Sequence, residues 1–374
     1  MSWGGRHVIT FSTFVPPHAN PPTYRAHQSV YIPPTPKHTR YYRNSVKIRR
    51  SIKRMSPREL GFIGLGVMGY PMALNLLNRL ETGSRLHVYD VSSQVLDEFK
   101  QEAPNLVSIC SSARDVVERS DVLFTIVPEG KHVRAVYLDE DNGVLSAAVN
   151  NKILIDCSTI DTTTSIDVNE ALQRKSTTTS FYDAPVSGGS LGAAAGTLTF
   201  MLGCSEDDPK LPLLKELLGA MGSSIFPCGG FSLGLTAKLC NNYCSGLIAI
   251  ATAEALNIGI KSGMDPSMLA RVFTTSTAQS TINDKWNPVP GVCPNAPASK
   301  DYQGGFKVQL MKKDFNLAVE TAKRVGAQLR LGESGLAVYN EASEDVACRD
   351  RDSRVVFRYI GGVEDWKEKL GLLE

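Results

Sequence analysis

The chain lacks several features that define common protein classes. Its 374 residues include eight cysteines but no C-x-x-C pair, which argues against a redox motif and a cysteine-based zinc site. No apolar run approaches the roughly 18 residues that a membrane span needs, and there are no internal repeats. We therefore expect a soluble protein with reduced thiols, no metal site and no membrane segment.

Acidic residues are absent from positions 1–58, which contain 11 Lys or Arg. This segment is rich in Ser, Thr and Pro, and residues 44–55 fit a basic amphipathic helix, a pattern typical of a mitochondrial presequence. We predict that residues 1–58 are a targeting leader to the mitochondrial matrix, with a disordered basic, nucleic-acid-binding tail as the alternative. The rest of the chain has 29 basic and 38 acidic side chains, a net charge of −9, and we expect no nucleic-acid partner for it.

A G-x-G-x-x-G pattern directly follows the apolar residues 60–63 and precedes a run of helix formers. In dinucleotide-binding folds the first glycine of this pattern permits the turn, the second lets the backbone approach a pyrophosphate, and the third lets the helix pack closely. N–H groups at the helix start face the anion. The predicted cofactor contacts in this loop are Gly64, Leu65, Gly66, Val67, Met68 and Gly69.

The next predicted strand, residues 86–90, ends at Asp90, about 20 residues past the last glycine, where such folds hold the adenosine ribose. A carboxylate there accepts hydrogen bonds from both ribose hydroxyls and repels a 2′-phosphate. Residues 91–93 contain no Arg to bind that phosphate. The sequence therefore favours NAD over NADP.

Strands and helices alternate from residue 59 to residue 230, with nearly continuous apolar strands at 121–128 and 152–156. This alternation predicts an α/β fold with a Rossmann-type doubly wound sheet, an NAD-binding domain spanning residues 59–230. We expect residues 223–228 to finish the sheet.

Beyond Phe231 only helical periodicity remains, beginning with one long apolar helix over 235–261. We predict an all-α C-terminal domain, residues 231–374, which serves substrate binding and oligomerisation. Because a long apolar helix often buries a face between subunits, a homodimer or homotetramer is expected.

Two stretches outside the glycine loop suit catalysis. Ser187 is followed by Gly188 and Gly189, so a hydroxyl and two unhindered N–H groups can converge on a substrate carboxylate, although a plain turn is the alternative. Lys238 and Asn242 are spaced i, i+4 on one face of the long helix. A desolvated Lys beside a positive nicotinamide ring has a lowered pKa that suits an acid/base, whereas a snorkelling surface Lys is the alternative.

Elimination also favours Lys238. Only two histidines, His87 and His132, lie beyond the first 58 residues, and neither is next to a carboxylate partner, so a His–Asp hydride-transfer site is poorly supported. No Tyr-x-x-x-Lys pair occurs, which argues against short-chain dehydrogenases.

Taken together, these motifs resemble the β-hydroxyacid dehydrogenase family. Residues 61–76 match its opening signature, and 183–189 and 234–242 match its substrate-binding and catalytic-lysine segments. Three more stretches are similar to one mitochondrial branch of that family: 156–161, 286–291 and 302–306.

The resemblance covers residues 59–373 and implies NAD-dependent oxidation of a small 3-hydroxy acid, with Lys238 as the catalytic acid/base. The substrate contacts it implies are Ser187, Gly188, Gly189 and Asn242. The cofactor contacts it implies are the Gly64–Gly69 loop, Asp90, Val127, Pro128, His132, Thr159 and Lys313. His132 departs from the Asn that relatives often carry there, and a solvated helix face is the alternative for Lys313. A semialdehyde or glyoxylate reductase using NADPH, and a catalytically silent nucleotide-binding protein, are the other functions considered.

Overall fold

The computed structural model describes residues 58–80 and 83–372, all within one compact unit. Apart from Arg58, the predicted leader lies outside the described residues. Strands and helices alternate first, in the order β1 (Glu59–Ile63), α1 (Gly69–Leu77), β2 (Arg85–Tyr89), α2 (Ser93–Glu102), β3 (Val107–Ile109), α3 (Ala113–Arg119), β4 (Val122–Thr125), α4 (Gly130–Leu138), β5 (Ile153–Asp156), α5 (Thr162–Lys175) and β6 (Ser180–Asp183).

These six strands form one parallel sheet in the order β3-β2-β1-β4-β5-β6. The register sets Phe62 of β1 opposite Val88 of β2 and Phe124 of β4. The strand order reverses between β1 and β4, and ligands of doubly wound folds bind at that point, outside the carboxyl ends of the strands. The predicted Rossmann-type sheet is confirmed, whereas the short edge strand β3 was not predicted.

Helices cover both faces of this sheet because its central strands are apolar on both sides. On one face, Leu60 and Phe62 pack with Met72 of α1 and Phe99 of α2. On the other face, the side chains come from β1, β4 and β5 and from α3, α4 and α5, including Ile63, Leu123, Leu154, Val116, Val133 and Leu172. The sheet is thus held rigidly, and its carboxyl edge presents the loops to one side.

A second, three-stranded sheet follows the first, built from β7 (Val186–Ser187), β8 (Leu198–Leu202) and β9 (Gly222–Pro227), with α6 (Gly189–Ala195) and α7 (Leu211–Leu218) between the strands. Strand β8 pairs antiparallel with β7 and parallel with β9. The prediction that residues 223–228 finish the main sheet was therefore wrong. An apolar pattern reports that a strand is buried, not which strand it pairs with.

The described chain after β9 is helical apart from connecting loops and turns, which confirms the predicted C-terminal helical region. Its helices are α8 (Leu233–Lys261), α9 (Pro266–Thr274), α10 (Thr281–Lys285), α11 (Val308–Val325), α12 (Gly332–Glu344), α13 (Val356–Tyr359) and α14 (Trp366–Lys369). Phe315 of α11 and Tyr339 of α12 pack on Gly246 of α8, where an added Cβ would lie 3.0 Å from the Phe315 ring. The division into two domains near residue 230 stays a prediction.

By length and composition alone, α8 is apolar enough to cross a membrane. In this structure it packs against α9, α10, α11 and α13 and buries four polar side chains, those of Lys238, Asn242, Thr252 and Asn257. These contacts fit the central helix of a helical core, although the expected absence of a membrane segment stays a prediction.

Candidate active site

The glycine loop joins β1 to α1 with a geometry that needs glycine at two positions. Gly64 has a φ of 95°, and a Cβ there would lie 2.1 Å from the carbonyl oxygen of Ile126. A Cβ on Gly69 would lie 1.8 Å from the carbonyl oxygen of Gly64. Around Gly66, by contrast, an added Cβ would meet no atom of the described chain within 4 Å. The loop is therefore closed on the strand side and open at its middle glycine, as a pyrophosphate site requires.

The other predicted loop residues differ in exposure. The side chain of Leu65 is buried, that of Met68 is half-buried, and that of Val67 is 79% exposed. Asp90 links this loop to the end of β2, since its carboxylate accepts hydrogen bonds from the N–H groups of Leu65 at 2.6 Å and Ser92 at 2.9 Å. The N–H of Leu65 is thus directed at Asp90, and each carboxylate oxygen keeps acceptor capacity for a ribose hydroxyl.

A buried polar network fixes the loops after β4 and β5. The N–H of Val127 donates to the hydroxyl of Ser158 at 2.9 Å, and that hydroxyl donates to the carboxylate of Asp156 at 2.6 Å. Thr125 donates to the same carboxylate oxygen at 2.8 Å, and burial raises the pKa of Asp156. This network, which the sequence did not reveal, sets the position of the loops that carry Val127 and Thr159.

Lys313 of α11 bridges these two loops. Its ammonium donates to the carbonyl oxygens of Pro128 at 3.1 Å and Thr159 at 2.6 Å, and it lies 3.2 Å from a carboxylate oxygen of Asp314. The Lys313 side chain is therefore held at the carboxyl edge of β4 and β5. The alternative of a solvated helix face does not describe it.

His132 lies half-buried in the first turn of α4, close to the same loop. Its Nδ1 is buried, with no hydrogen-bond partner among residues 58–80 and 83–372. Nearby, a hydrogen bond from Lys131 lowers the pKa of Glu129, and the charge of Lys313 adds to the effect. His132 is thus part of a charged cluster beside Pro128.

Lys238 lies in the second turn of α8 and is only 7% exposed. Within the described part of the chain, its amine has neither a hydrogen bond nor an ion pair to another residue. Burial lowers the pKa of Lys238; the carboxylate of Asp314 opposes this shift, and the positive charge of Lys313 adds to it. The amine is therefore closer to neutral at physiological pH than an exposed lysine, as a proton acceptor needs to be.

Asn242, one turn further along α8, is oriented by two neighbours. Its amide donates to Asp314 at 2.5 Å, and its carbonyl oxygen accepts from the Asn241 amide at 3.0 Å. One N–H of Asn242 remains available on the face that also carries Lys238. Asp314 thus contributes to the environment of both predicted site residues on α8.

The segment Ser187–Gly189 and the start of α8 meet on the same strand. Ser187 pairs with Thr199 of β8, and a Cβ on Gly234 would lie 2.2 Å from the carbonyl oxygen of Met201, two residues along that strand. Gly188 and Gly189 have φ values of 132° and 63° and are exposed. Their backbone conformation therefore favours glycine.

The helix that follows this segment, α6, contacts the helix that follows the glycine loop. Asn75 of α1 donates to the carbonyl oxygens of Pro71 in its own helix, at 3.0 Å, and of Ala193 in α6, at 2.7 Å. Because α6 begins at Gly189, the predicted carboxylate segment is joined directly to a helix that packs on α1. Among the described residues, no group of three metal-ligating side chains is present.

Comparison with known proteins shows the family of this chain. A family model described as the NAD-binding domain of 6-phosphogluconate dehydrogenase matches residues 59–230, and one described as NAD-binding of NADP-dependent 3-hydroxyisobutyrate dehydrogenase matches residues 233–360. The probable mitochondrial 3-hydroxyisobutyrate dehydrogenase of Dictyostelium discoideum is 41% identical over 290 residues, 78% of this chain and 87% of the relative. The chain belongs to the 3-hydroxyisobutyrate dehydrogenase family. It is an oxidoreductase with NAD(P)-binding domains.

Two further relatives show the range of this family. The NAD-dependent L-serine dehydrogenase of Pseudomonas aeruginosa is 39% identical over 282 residues, 75% of this chain and 91% of the relative. A solved structure of the Mycobacterium tuberculosis 3-hydroxyisobutyrate dehydrogenase with L-serine matches with a TM-score of 0.74 and 33% identity, covering 82% of this chain and 99% of that one. The dehydrogenase described here thus shares its fold with enzymes named for two hydroxy acids.

Proposed function

We propose that this enzyme oxidises 3-hydroxyisobutyrate to methylmalonate semialdehyde with NAD in the mitochondrial matrix, as a step of valine breakdown. The observation that carries this proposal is the largely buried side chain of Lys238, whose amine has no hydrogen-bond partner among the described residues, on the same helix as Asn242. Asp314 and Lys313 connect that helix to the loops at the carboxyl edge of the sheet. These contacts connect the helix that carries the proposed acid/base to the loops of the proposed dinucleotide crevice.

The residues present fit a dinucleotide. The open backbone at Gly66 suits a pyrophosphate, and the carboxylate of Asp90 suits ribose hydroxyls. Val127, Pro128, His132, Thr159 and Lys313 line the crevice further along the same sheet edge. When bound, NAD supplies the acceptor for the hydride that leaves the alcohol carbon.

The substrate is held at its two polar ends. The hydroxyl of Ser187 and the N–H groups of Gly188 and Gly189 bind its carboxylate, and the free N–H of Asn242 donates to its hydroxyl oxygen. The neutral amine of Lys238 takes the hydroxyl proton as the C–H bond breaks. In the reverse direction the Lys238 ammonium returns that proton to the carbonyl oxygen of the aldehyde.

NAD is favoured by the negative charge of Asp90, which repels a 2′-phosphate, and by the neutral residues Val91, Ser92 and Ser93 that follow. The description of the family model over residues 233–360 nevertheless names an NADP-dependent enzyme. An NADPH-dependent reductase of a small semialdehyde or of glyoxylate is accordingly the second candidate.

The test is a spectrophotometric assay of the purified protein with 3-hydroxyisobutyrate, L-serine, 3-hydroxypropionate and 6-phosphogluconate, each with NAD and with NADP. The expected result is the highest kcat/KM for 3-hydroxyisobutyrate with NAD. Preferential turnover of L-serine or of 6-phosphogluconate would replace the proposed substrate. A lack of turnover on all four would favour a nucleotide-binding protein without this catalysis.

We also propose a homodimer or homotetramer in which α8 and α9 contact a second copy. Ile258 of α8 and Met268 and Val272 of α9 are between 46% and 67% exposed, although all are large and apolar. Light scattering on the purified protein tests this assembly.

Import of the full chain, fused to a fluorescent protein, tests residues 1–58 as the mitochondrial leader, in line with the mitochondrial relative from Dictyostelium discoideum.

A further inference from the structure

The start of α8 is capped from outside the helix. Its N-cap residue, Ser232, makes no side-chain capping bond and has a φ of 66°, and the first turn of α8 contains no acidic residue. Instead, the carboxylate of Asp183 accepts from the N–H of Ser232 at 2.7 Å and from the N–H of Leu235 at 2.8 Å. A residue at the end of β6 thus supplies the cap and a negative charge at the positive end of the helix dipole.

The fit around this carboxylate is close. Asp183 is only 1% exposed, and a Cβ on Gly203 would lie 1.8 Å from one of its oxygens. A Cβ on Gly234 would lie 2.8 Å from the other oxygen. Glycine at both positions lets the chain directly after β8 and the start of α8 approach the same side chain, so that the start of α8 has little freedom to shift.

The capped residue is close to the proposed acid/base. Leu235 precedes Lys238 by three residues, about 4.5 Å along the helix axis. In the other direction, Asp183 precedes Ser187 by only four residues along the chain. One carboxylate therefore connects the segment proposed to bind the substrate carboxylate with the helix that carries the amine.

We infer that Asp183 is a positioning residue, whose carboxylate holds the start of α8 so that the Lys238 amine reaches the hydroxyl of a substrate bound at Ser187–Gly189. This inference rests on the proposed function. Asp183 does not touch the substrate; it acts through the placement of Lys238. Because a misplacement of about 1 Å can cost about 10²-fold in rate, the effect is expected in kcat rather than in cofactor binding.

The test compares Asp183→Asn with Asp265→Asn. Asp265 caps α9 through the N–H of Ser267 at 2.7 Å, and α9 contains none of the proposed site residues. Turnover is expressed per NADH-binding site, measured by fluorescence titration, so that unfolded protein does not count. Asp183→Asn is expected to lower kcat by about 10- to 100-fold with an unchanged Kd for NADH, whereas Asp265→Asn, which keeps an N-cap acceptor, leaves kcat unchanged.

A wild-type kcat in Asp183→Asn would overturn the inference, as would an equal loss of kcat in Asp265→Asn. Asp183→Ala, which removes both acceptors, is the second variant and is expected to lower kcat at least as much as Asp183→Asn, which keeps one acceptor. If neither Asp183 variant binds NADH, the residue is a folding determinant and the inference is wrong. The wild type and Lys238→Met are assayed in parallel. Turnover by the wild type and its loss in Lys238→Met support the proposed function, so that a negative result for Asp183 then counts against this inference alone.

Discussion

Replacing Lys238 with methionine separates the catalytic role of the amine from its effect on stability. Methionine has a similar length and no charge, so it fills the same space in α8. Loss of the proton acceptor is expected to lower kcat by about 10²- to 10⁴-fold, the usual contribution of a positioned acid/base. This corresponds to about 3 to 5 kcal/mol of activation free energy. NAD binding should persist, because the glycine loop and Asp90 are unchanged.

The same substitution is expected to increase stability at pH 7. The pKa of Lys238 is lowered in the folded protein from its usual 10.5, chiefly by burial. The unfolded chain therefore binds the proton more strongly, and stability rises with pH between the folded-state pKa and 10.5. Below that window the folded protein carries the cost of a buried ammonium, about 1.4 kcal/mol for each unit by which the pKa is lowered. Methionine removes this cost.

The two effects are measured by NADH absorbance and by thermal unfolding of the same preparations. The matched control is Lys261→Met, because Lys261 is exposed at the last position of the same helix. The control should keep both kcat and Tm. Turnover of Lys238→Met equal to the wild type would remove this residue from the mechanism. A clear fall in its Tm at pH 7 would show that the amine has a stabilising partner.

Two other predictions concern the cofactor and the pKa of the amine. Asp90→Ala is expected to weaken NAD binding by about tenfold or more, since charge-assisted hydrogen bonds contribute about 1.5 to 3 kcal/mol, and to reduce the preference for NAD over NADP. Titration with both cofactors measures these effects, and Asp97→Ala, at an exposed position, is the control. An unaltered preference for NAD would contradict the role of Asp90. Lys313→Met removes a charge that lowers the pKa of Lys238, so the rising limb of kcat against pH should move to higher pH, whereas Asp314→Asn should move it to lower pH. Shifts in the same direction would refute this electrostatic account.

The sequence predicted those parts of the fold that depend on local rules. A G-x-G-x-x-G pattern between a strand and a helix can be recognised from the sequence, because the tight turn leaves no space for a side chain at the first and third glycines. The structure shows this at Gly64 and Gly69, where an added Cβ would clash with backbone oxygens. The long apolar stretch predicted α8, which begins at Leu233 instead of 235. Helical periodicity over residues 307–325 and 335–344 likewise predicts two helices, and the corresponding α11 and α12 begin at Val308 and Gly332.

The parts that sequence reasoning missed depend on contacts between distant residues. Strand β9 pairs with β8 rather than with the main sheet, because pairing is decided by the path of the chain after β6. The capping bonds from Asp183 join residues 49 and 52 positions apart. The sequence contains one indication of this cap: the first turn of α8 has no acidic residue, so the N–H groups at its buried start need acceptors from another part of the chain. The Asp156 network had no comparable signal.

The geometry of the site also indicates where substrate discrimination arises. 3-Hydroxyisobutyrate and L-serine share a carboxylate and a primary alcohol and differ at one carbon, which bears a methyl group in one and an ammonium in the other. Ser187–Gly189 and Lys238 face only the shared groups in the proposed pose, so these residues serve both acids equally. The methyl group of 3-hydroxyisobutyrate needs an apolar contact, whereas the ammonium group of L-serine needs hydrogen-bond acceptors. A site without those acceptors strongly disfavours L-serine. Discrimination is therefore expected to depend on the residues that face the carbon between carboxylate and alcohol, whereas the proposed acid/base and its proposed positioning by Asp183 act on groups that both acids share.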